Sequence, residues 1–206
     1  WDEIPQNTTF EYSIDWISVN YNASDNIAVD EYFVNDTSRF NISTAGILGN
    51  SSLIAIGQYH VNVSVNDTTN NVNSTKININ ISDTTSPTWL TNVTNQSIPV
   101  QDEVVNFSIT WTDPNLDKCW FGTNNATPTW GNYTPVSCTT AQQIQFNITV
   151  NASQAKTMTY RFYSNDTYNN VNETTSMTIY VGDIIKPTWD EIPQNTTFEY
   201  SIDWIS

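Results

Sequence analysis

Residues Trp1–Ser18 read WDEIPQNTTFEYSIDWIS, and the same eighteen letters return at Trp189–Ser206, 188 positions on. Identity that extends to polar positions such as Gln6 and Asn7 marks a tandem array, in which each period is built from self-contained units. A shorter spacing lies inside the long one. Pro87-Thr88-Trp89 recurs 100 positions later as Pro187-Thr188-Trp189, which leaves 88 positions from Trp1 to Trp89. The ends of the two units also correspond. Tyr59–Thr68 is echoed by Tyr160–Thr167, and each is followed by a predicted turn, Asn70–Asn73 or Asn169–Asn172. A last strand then follows, Lys76–Ser82 or Ser176–Val181, and an Asp (Asp83, Asp183) stands four residues before the proline. The expected organisation is unit A at 1–88, unit B at 89–188, and the start of another unit A at 189–206, which is too short to bury a core alone.

Within each unit the hydrophobic pattern has period two. Val61, Val63 and Val65 alternate with polar neighbours, as do Ile77, Ile79 and Ile81. The same holds for Val105, Phe107, Ile109 and Trp111, and for Ile144, Phe146, Ile148 and Val150. Such alternation predicts antiparallel strands with one face on a core and one in water. Asn22–Asn26, Asn35–Ser38, Gly46–Ser52 and Asn124–Tyr133 read as turns. The polar share of the chain is Asn, Thr and Ser, which disfavour helix interiors. The fold class expected is all-β, two tandem immunoglobulin-like or cadherin-like β-sandwich domains followed by the first strands of a third.

Composition narrows the partners. Six Lys+Arg face 21 Asp+Glu, for a formal net charge of −15, so nucleic acid and anionic membranes are electrostatically disfavoured. Only 13% of residues are charged and 13% are aromatic, which separates the chain from an acidic disordered tail. No apolar run is long enough to span a bilayer. With no signal peptide and an opening Trp1, the chain reads as a mature segment or a window of something longer. Cys119 and Cys138 are the two cysteines. Two thiols without nearby histidine cannot build a four-ligand zinc site. A disulfide, rather than free thiols, is the expectation; it implies an oxidising compartment and contributes about 3 kcal/mol for a loop of this length.

Several short motifs carry a resemblance. Ser24-Asp25-Asn26, Phe40-Asn41-Ile42, Gly46-Ile47-Leu48, Leu53, Gly57-Gln58-Tyr59 and Asn66-Asp67-Thr68 resemble cadherin-like and Ig-like repeats of prokaryotic surface proteins. The junctions Asp83–Trp89 and Asp183–Trp189 resemble the Asp-Thr-Thr-x-Pro-Thr linkers that join such repeats. Unit B, with Trp111-Thr112-Asp113, Phe121–Asn125 and Tyr160–Asp166, is similar to repeats of large archaeal cell-surface glycoproteins.

Nineteen Asn-x-Ser/Thr triplets mark candidate N-glycosylation sites: Asn7, Asn22, Asn35, Asn41, Asn50, Asn62, Asn66, Asn73, Asn80, Asn92, Asn95, Asn106, Asn125, Asn132, Asn147, Asn151, Asn165, Asn172 and Asn195. Asn62, Asn80, Asn106 and Asn147 fall on the polar faces of predicted strands. Asn22, Asn35, Asn50, Asn125 and Asn132 fall in predicted turns, where a glycan leaves the core undisturbed. An Asn- and Thr-rich composition also produces such triplets by accident, and crowded neighbours such as Asn62 and Asn66 cannot all be filled.

Catalytic chemistry has little to draw on. His60 is the single histidine, on an outward strand face, and neither a phosphate-binding glycine loop nor a Gly-x-Ser-x-Gly elbow is present. No cofactor is expected. The alternative is calcium between repeats, since Asp25, Asp30, Asp36, Asp67 and Asp83 fall in predicted loops and cadherin domains clamp calcium at such junctions. However, Thr84-Thr85-Ser86 accompanies a single junction carboxylate, Asp83. Trp120, Trp130 and Tyr133 near the Cys119–Cys138 loop either pack as a satellite core or form a shelf for stacking on sugars. The lysines, Lys76, Lys118, Lys156 and Lys186, sit in polar or junction settings, poor ones for an isopeptide crosslink.

The function expected is structural and non-enzymatic: a head-to-tail string of sandwiches with covalent glycans, extracellular and at the cell surface. Short proline junctions would limit bending, and Trp89 and Trp189 would plug the gaps between units. Trp189–Ser206 would begin the next repeat of a longer polypeptide or be lent to a neighbouring subunit by edge pairing. The competing readings are an adhesin or carbohydrate-binding module, for which Trp120 and Trp130 would be exposed, and a surface-layer lattice component.

Overall fold

The computed structural model describes residues 1–125, 129–151, 157–182 and 186–188. The expected third unit at 189–206 with its Asn195, the junction residue Asp183 and Lys156 lie outside the described residues. Every regular element described is a strand, so the chain is all-β.

Seven strands share the first core: β1 (Thr8–Glu11), β2 (Ser18–Asn20), β3 (Val29–Val34), β4 (Phe40–Ile42), β5 (Ile47–Asn50), β6 (Gly57–Asp67) and β7 (Val72–Ser82). They form a sheet ordered β1-β7-β6-β3 and a second ordered β2-β5-β4. The alternation explains their packing. Val61, Val63, Ile77, Ile79 and Ile81 project inward from the long β6–β7 hairpin to meet Phe40, Leu48 and Tyr21 from the facing sheet. Phe40, Leu48, Val63 and Ile79 are fully buried, each contributing roughly 1.5–3 kcal/mol through lost apolar exposure.

The segment duplicated at the end of the sequence supplies β1, which pairs parallel to β7 with Thr8 opposite Ile79 and Glu11 opposite Ser82. Trp1, Phe10 and Tyr12 pack against the first core.

Nine strands share the second core: β8 (Thr88–Thr94), β9 (Val104–Thr112), β10 (Leu116–Thr123), β11 (Gly131–Asn132), β12 (Val136–Ser137), β13 (Gln143–Thr149), β14 (Thr157–Asp166), β15 (Val171–Glu173) and β16 (Met177–Tyr180). One sheet is ordered β13-β9-β8. In the other, β10 pairs β11, β12 and β14, and β14 pairs β15 and β16. Trp111, Phe107, Phe121 and Phe162 are fully buried between them. Phe121 sits at the centre of an aromatic group, with Phe107 at 4.8 Å and Phe162 at 5.2 Å between ring centroids.

Local predictions need four corrections. Gly46–Ser52 is not simply a turn, because β5 lies within it and carries Asn50. Asn132 likewise belongs to β11. The predicted turns after β6 and β14 are shorter than expected: Val72 and Asn73 are already in β7, and Val171 and Asn172 in β15. Asp30 lies on β3, not in a loop. In each case strand pairing captured residues whose local preference is for turns, as tertiary context does when a ladder partner is available.

Candidate functional site

The segment Asp83–Pro87, between β7 and β8, is held on both sides. From the first sandwich, Glu11 at the end of β1 accepts four hydrogen bonds. Thr84 N–H (2.8 Å), Thr85 N–H (3.2 Å) and Thr85 Oγ1 (2.9 Å) donate to Oε1, and Thr84 Oγ1 donates to Oε2 (2.8 Å). Burial works against ionisation of Glu11, but these bonds outweigh it and hold the carboxyl below its usual range. From the second sandwich, three asparagine amides donate to the segment. Asn115 Nδ2 reaches Asp83 Oδ2 (2.7 Å), Asn170 Nδ2 reaches the Asp83 carbonyl (3.1 Å), and Asn172 Nδ2 reaches the Pro87 carbonyl (2.8 Å). A five-residue connection so bonded is a joint with few free dihedrals.

Three carboxylates meet there. Asp83, Asp113 and Asp166 each place an oxygen within 4.8 Å of the other two. Asp166, fully buried, is satisfied by Tyr168 and Asn170 N–H groups on Oδ1 and by Asn170 Nδ2 on Oδ2. Asp113, 5% exposed, accepts from Asn115 N–H at 2.7 Å. Desolvation raises the Asp113 carboxyl above its usual range, against the Asn115 bond, and the charges of Asp83 and Asp166 add to the rise. None of the described ion pairs, Asp36–Arg39, Asp117–Lys118 and Glu173–Arg161, touches this group. Chemically, the trio is a set of hard oxygen donors of the kind that holds a divalent cation.

The expectation of one junction carboxylate is therefore corrected. Asp113 and Asp166 come from the ends of β9 and β14, distant in sequence and brought to Asp83 by the fold. The other acidic residues considered for calcium are used elsewhere. Asp36 pairs with Arg39 at 2.6 Å, and Asp25 accepts from Ile27 N–H at 2.8 Å. Asp67 organises the turn after β6: the side chain and N–H of Asn71 are the main donors that bring its carboxyl to about 2. Trp89 does not plug the gap. It lies on β8 opposite Trp111 and is 39% exposed.

The glycosylation candidates divide by what their amides already do. Asn7, Asn35, Asn95 and Asn165 accept backbone N–H bonds on Oδ1, from Asn78, Asn62, Asn106 and Lys118. Asn66 accepts from Glu31 N–H. By contrast, Nδ2 donates to a carbonyl in Asn50 (to Ser52), Asn125 (to Thr149) and Asn172 (to Pro87). Asn106 Nδ2 donates to Asn147 Oδ1, and Asn41 Nδ2 to Ser51. Asn22, Asn73 and Asn151 are exposed, Asn62 and Asn80 are half-buried on outer faces, and Asn92 is half-buried on the face of β8 that it shares with core residue Ile109.

Cys119 and Cys138 are joined as a disulfide, with Cα atoms 5.9 Å apart. Beside it, Trp120 on β10 stacks on Tyr163 on β14, centroids 5.4 Å apart and planes 2° from parallel. Trp130, 39% exposed, lies over Gly122, and its indole N–H donates to Asn132 Oδ1 at 2.9 Å. Arg161 on the same face bonds Glu173 (2.6 Å) and Ser176 (2.8 Å). The aromatics are neither a satellite core nor free-standing: they form a half-exposed layer on the outer sheet face. His60 is exposed and its Nδ1 meets Asn78 Oδ1. Lys118 bonds Ser137 and Asp117, and Lys76 and Lys186 are exposed.

No protein-family model matches this chain, and no curated protein matches it. Among solved structures, it is similar to the PKD domain of an M14-like peptidase from a Thermoplasmatales archaeon, with 17% identity, 48% of this chain and 97% of that one covered, and a TM-score of 0.35. It is similar to fibronectin(III)-like modules of Clostridium thermocellum CbhA, with 10% identity, 92% and 98% covered, and a TM-score of 0.34. It is also similar to titin domains z1z2, solved in complex with telethonin, with 11% identity, 86% and 92% covered, and a TM-score of 0.47.

Proposed function

We propose that this chain is a repeat of a glycosylated extracellular filament or stalk at an archaeal cell surface, built head-to-tail from β-sandwich domains and without catalytic activity. The observation that carries the reading is the joint at Asp83–Pro87, bonded to Glu11 on one side and to Asn115, Asn170 and Asn172 on the other. A flexible tether needs no such bonds, whereas a load-bearing string needs its modules to keep a fixed orientation. The duplication of residues 1–18 at 189–206 supports continuation of the same order, and the disulfide suits an oxidising exterior.

Glycans attach through Nδ2, so the candidates whose Nδ2 is unengaged are the ones proposed to be modified. Asn22 and Asn151 are exposed and lead this group, while Asn50, Asn125 and Asn172 spend that atom on backbone carbonyls. Electron microscopy of the native particle tests the proposal together with peptide mass spectrometry. Beaded threads carrying hexosamine on exposed sites support it. Isolated globular particles, or a polypeptide free of sugar, would sink it.

A second reading, an adhesive or carbohydrate-binding module, draws on the stacked Trp120–Tyr163 pair and the exposed Trp130. Quenching of tryptophan fluorescence by titrated oligosaccharides favours that reading, and an unchanged signal removes it.

A further inference from the structure

We propose that the end of unit A carrying Asp25, Asp67, Asn71 and Asn73 is the seat for residues 183–188 of a preceding copy of this chain, docked as Asp83–Thr88 dock onto unit B. The inference rests on the head-to-tail reading and names the surface through which it works.

Unit B shows what a filled seat looks like. Its Asn170 and Asn172 amides donate to carbonyls of Asp83 and Pro87, and Asp166 and Asp113 lie beside Asp83. Unit A repeats the turn and two of the three asparagine donors, Asn71 for Asn170 and Asn73 for Asn172, with Ala28 where unit B has Asn115. Asp67 ends β6 as Asp166 ends β14. Each accepts on Oδ1 from the N–H groups two and four residues on, Thr69 (2.7 Å) and Asn71 (2.8 Å) against Tyr168 (2.8 Å) and Asn170 (2.9 Å). Each accepts on Oδ2 from the asparagine amide four residues on, at 2.6 and 2.7 Å. Asn70 and Asn169 share a φ of 66°. The partner strands bulge at matching points, Val29/Glu31 and Leu116/Lys118. Thr68 N–H donates to Ala28 O as Thr167 N–H donates to Asn115 O. Asp25, one residue before the position that matches Asp113 and exposed where Asp113 is buried, makes a turn of the same kind, with Ile27 N–H as Asp113 does with Asn115 N–H.

What differs is that the seat in unit A stands open. A cavity of about 190 Å³ lies there, lined by Trp1, Ser24, Asp25, Asp67, Asn71 and Asn73. The Trp1 indole N–H is buried without an acceptor among the described residues, a donor still waiting for a partner. Asn73, the counterpart of Asn172, is exposed and makes no side-chain hydrogen bond among the described residues.

The occupant follows from the sequence. Asp183-Ile184-Ile185-Lys186-Pro187-Thr188 keeps Asp and Pro four residues apart, as in Asp83–Pro87, and leads into the eighteen residues that begin unit A. It also carries a lysine where the internal connection has Ser86, matching a seat that already holds two carboxylates. The seat is filled equally by a covalently preceding repeat or by a copy whose 189–206 replaces 1–18.

The test compares the 206-residue chain with the same chain extended before Trp1 by Asp-Ile-Ile-Lys-Pro-Thr, and with a scrambled extension of the same six residues. Calorimetry and the Asn73 side-chain amide resonance are read out. The native-order extension should raise the melting temperature of unit A by about 4 °C or more and shift the Asn73 amide, while the scrambled one does neither. Asn73→Ala should reduce the gain in the extended chain and leave the unextended chain unchanged. Equal melting temperatures for the two extensions overturn the seat. The head-to-tail reading is judged separately by the native particle: threads without a gain from the extension refute the seat alone, and a gain without threads refutes the reading alone.

Discussion

Replacing Asp113 by asparagine should stabilise unit B in the absence of divalent ions. The substitution keeps an oxygen to accept the Asn115 N–H, 2.7 Å away, and so preserves the turn. It removes one of three like charges whose oxygens lie within 4.8 Å of one another. At an effective dielectric constant near 20, each such pair, 4.8 Å apart or closer, repels by at least about 3 kcal/mol before protonation and solvent relax it. Proton uptake relieves part of this, because desolvation and the two neighbouring charges already raise the Asp113 carboxyl. A net gain on the order of 1 kcal/mol, or about 4 °C for a unit of this size, is the expected remainder. The sign has a pH signature. A carboxyl raised on folding makes the native state bind more protons than the unfolded one above pH 3.8, so wild-type stability falls as pH rises through that window. The advantage of Asp113→Asn must therefore grow as pH rises above about 4 and disappear below it. Calorimetry in chelator across that range measures it. A variant that melts lower than wild type at neutral pH in chelator, or a gain that is independent of pH, refutes the reasoning.

Calcium chloride should reverse this order, raising the wild-type melting temperature and the variant's less, as a titration of both would show. Removing the Cys119–Cys138 bond by Cys138→Ser should cost unit B about 3 kcal/mol, seen as a lower denaturant midpoint that reductant reproduces in the wild type. Gly122→Ala should displace Trp130. An added Cβ would lie 2.4 Å from Asn132 Oδ1 and 2.9 Å from the indole, a clash worth roughly 1–3 kcal/mol that reports as a shift in tryptophan emission. Glu11→Gln should loosen the joint and speed amide exchange at Thr84 and Thr85. In the wild type the same loosening should occur as pH falls through the lowered Glu11 value, since a carboxyl depressed on folding stabilises above its unfolded value and loses that contribution in acid.

Much of the fold is legible in the letters because its causes are local. The alternation at Val61–Val63, Ile77–Ile81, Val105–Trp111 and Phe146–Val150 is a statement about faces, and the apolar residues of those runs are among the ones that fill the two cores. The pairing of Asn66-Asp67-Thr68 with Asn165-Asp166-Thr167 is equally visible, and both form the same turn. The disulfide follows from there being two cysteines.

The junction was only half visible, and for a physical reason. Asp83 reads as a linker residue, but nothing local links it to Asp113, Asp166, Asn115, Asn170 or Asn172. Those residues meet because β9 and β14 end on the same side of the second sandwich. Asp113 resembles any turn aspartate until it is found buried beside two other carboxylates. The parallel pairing of β1 with β7 is likewise silent in Thr8–Glu11, which carries little alternation. Trp89 reads as a plug and proves to be a half-exposed strand residue, because burial depends on what the fold places opposite a ring. Periodicity determined which side chains face inward; only the assembled sheets decided which loops share an end, since that depends on where distant strands stop.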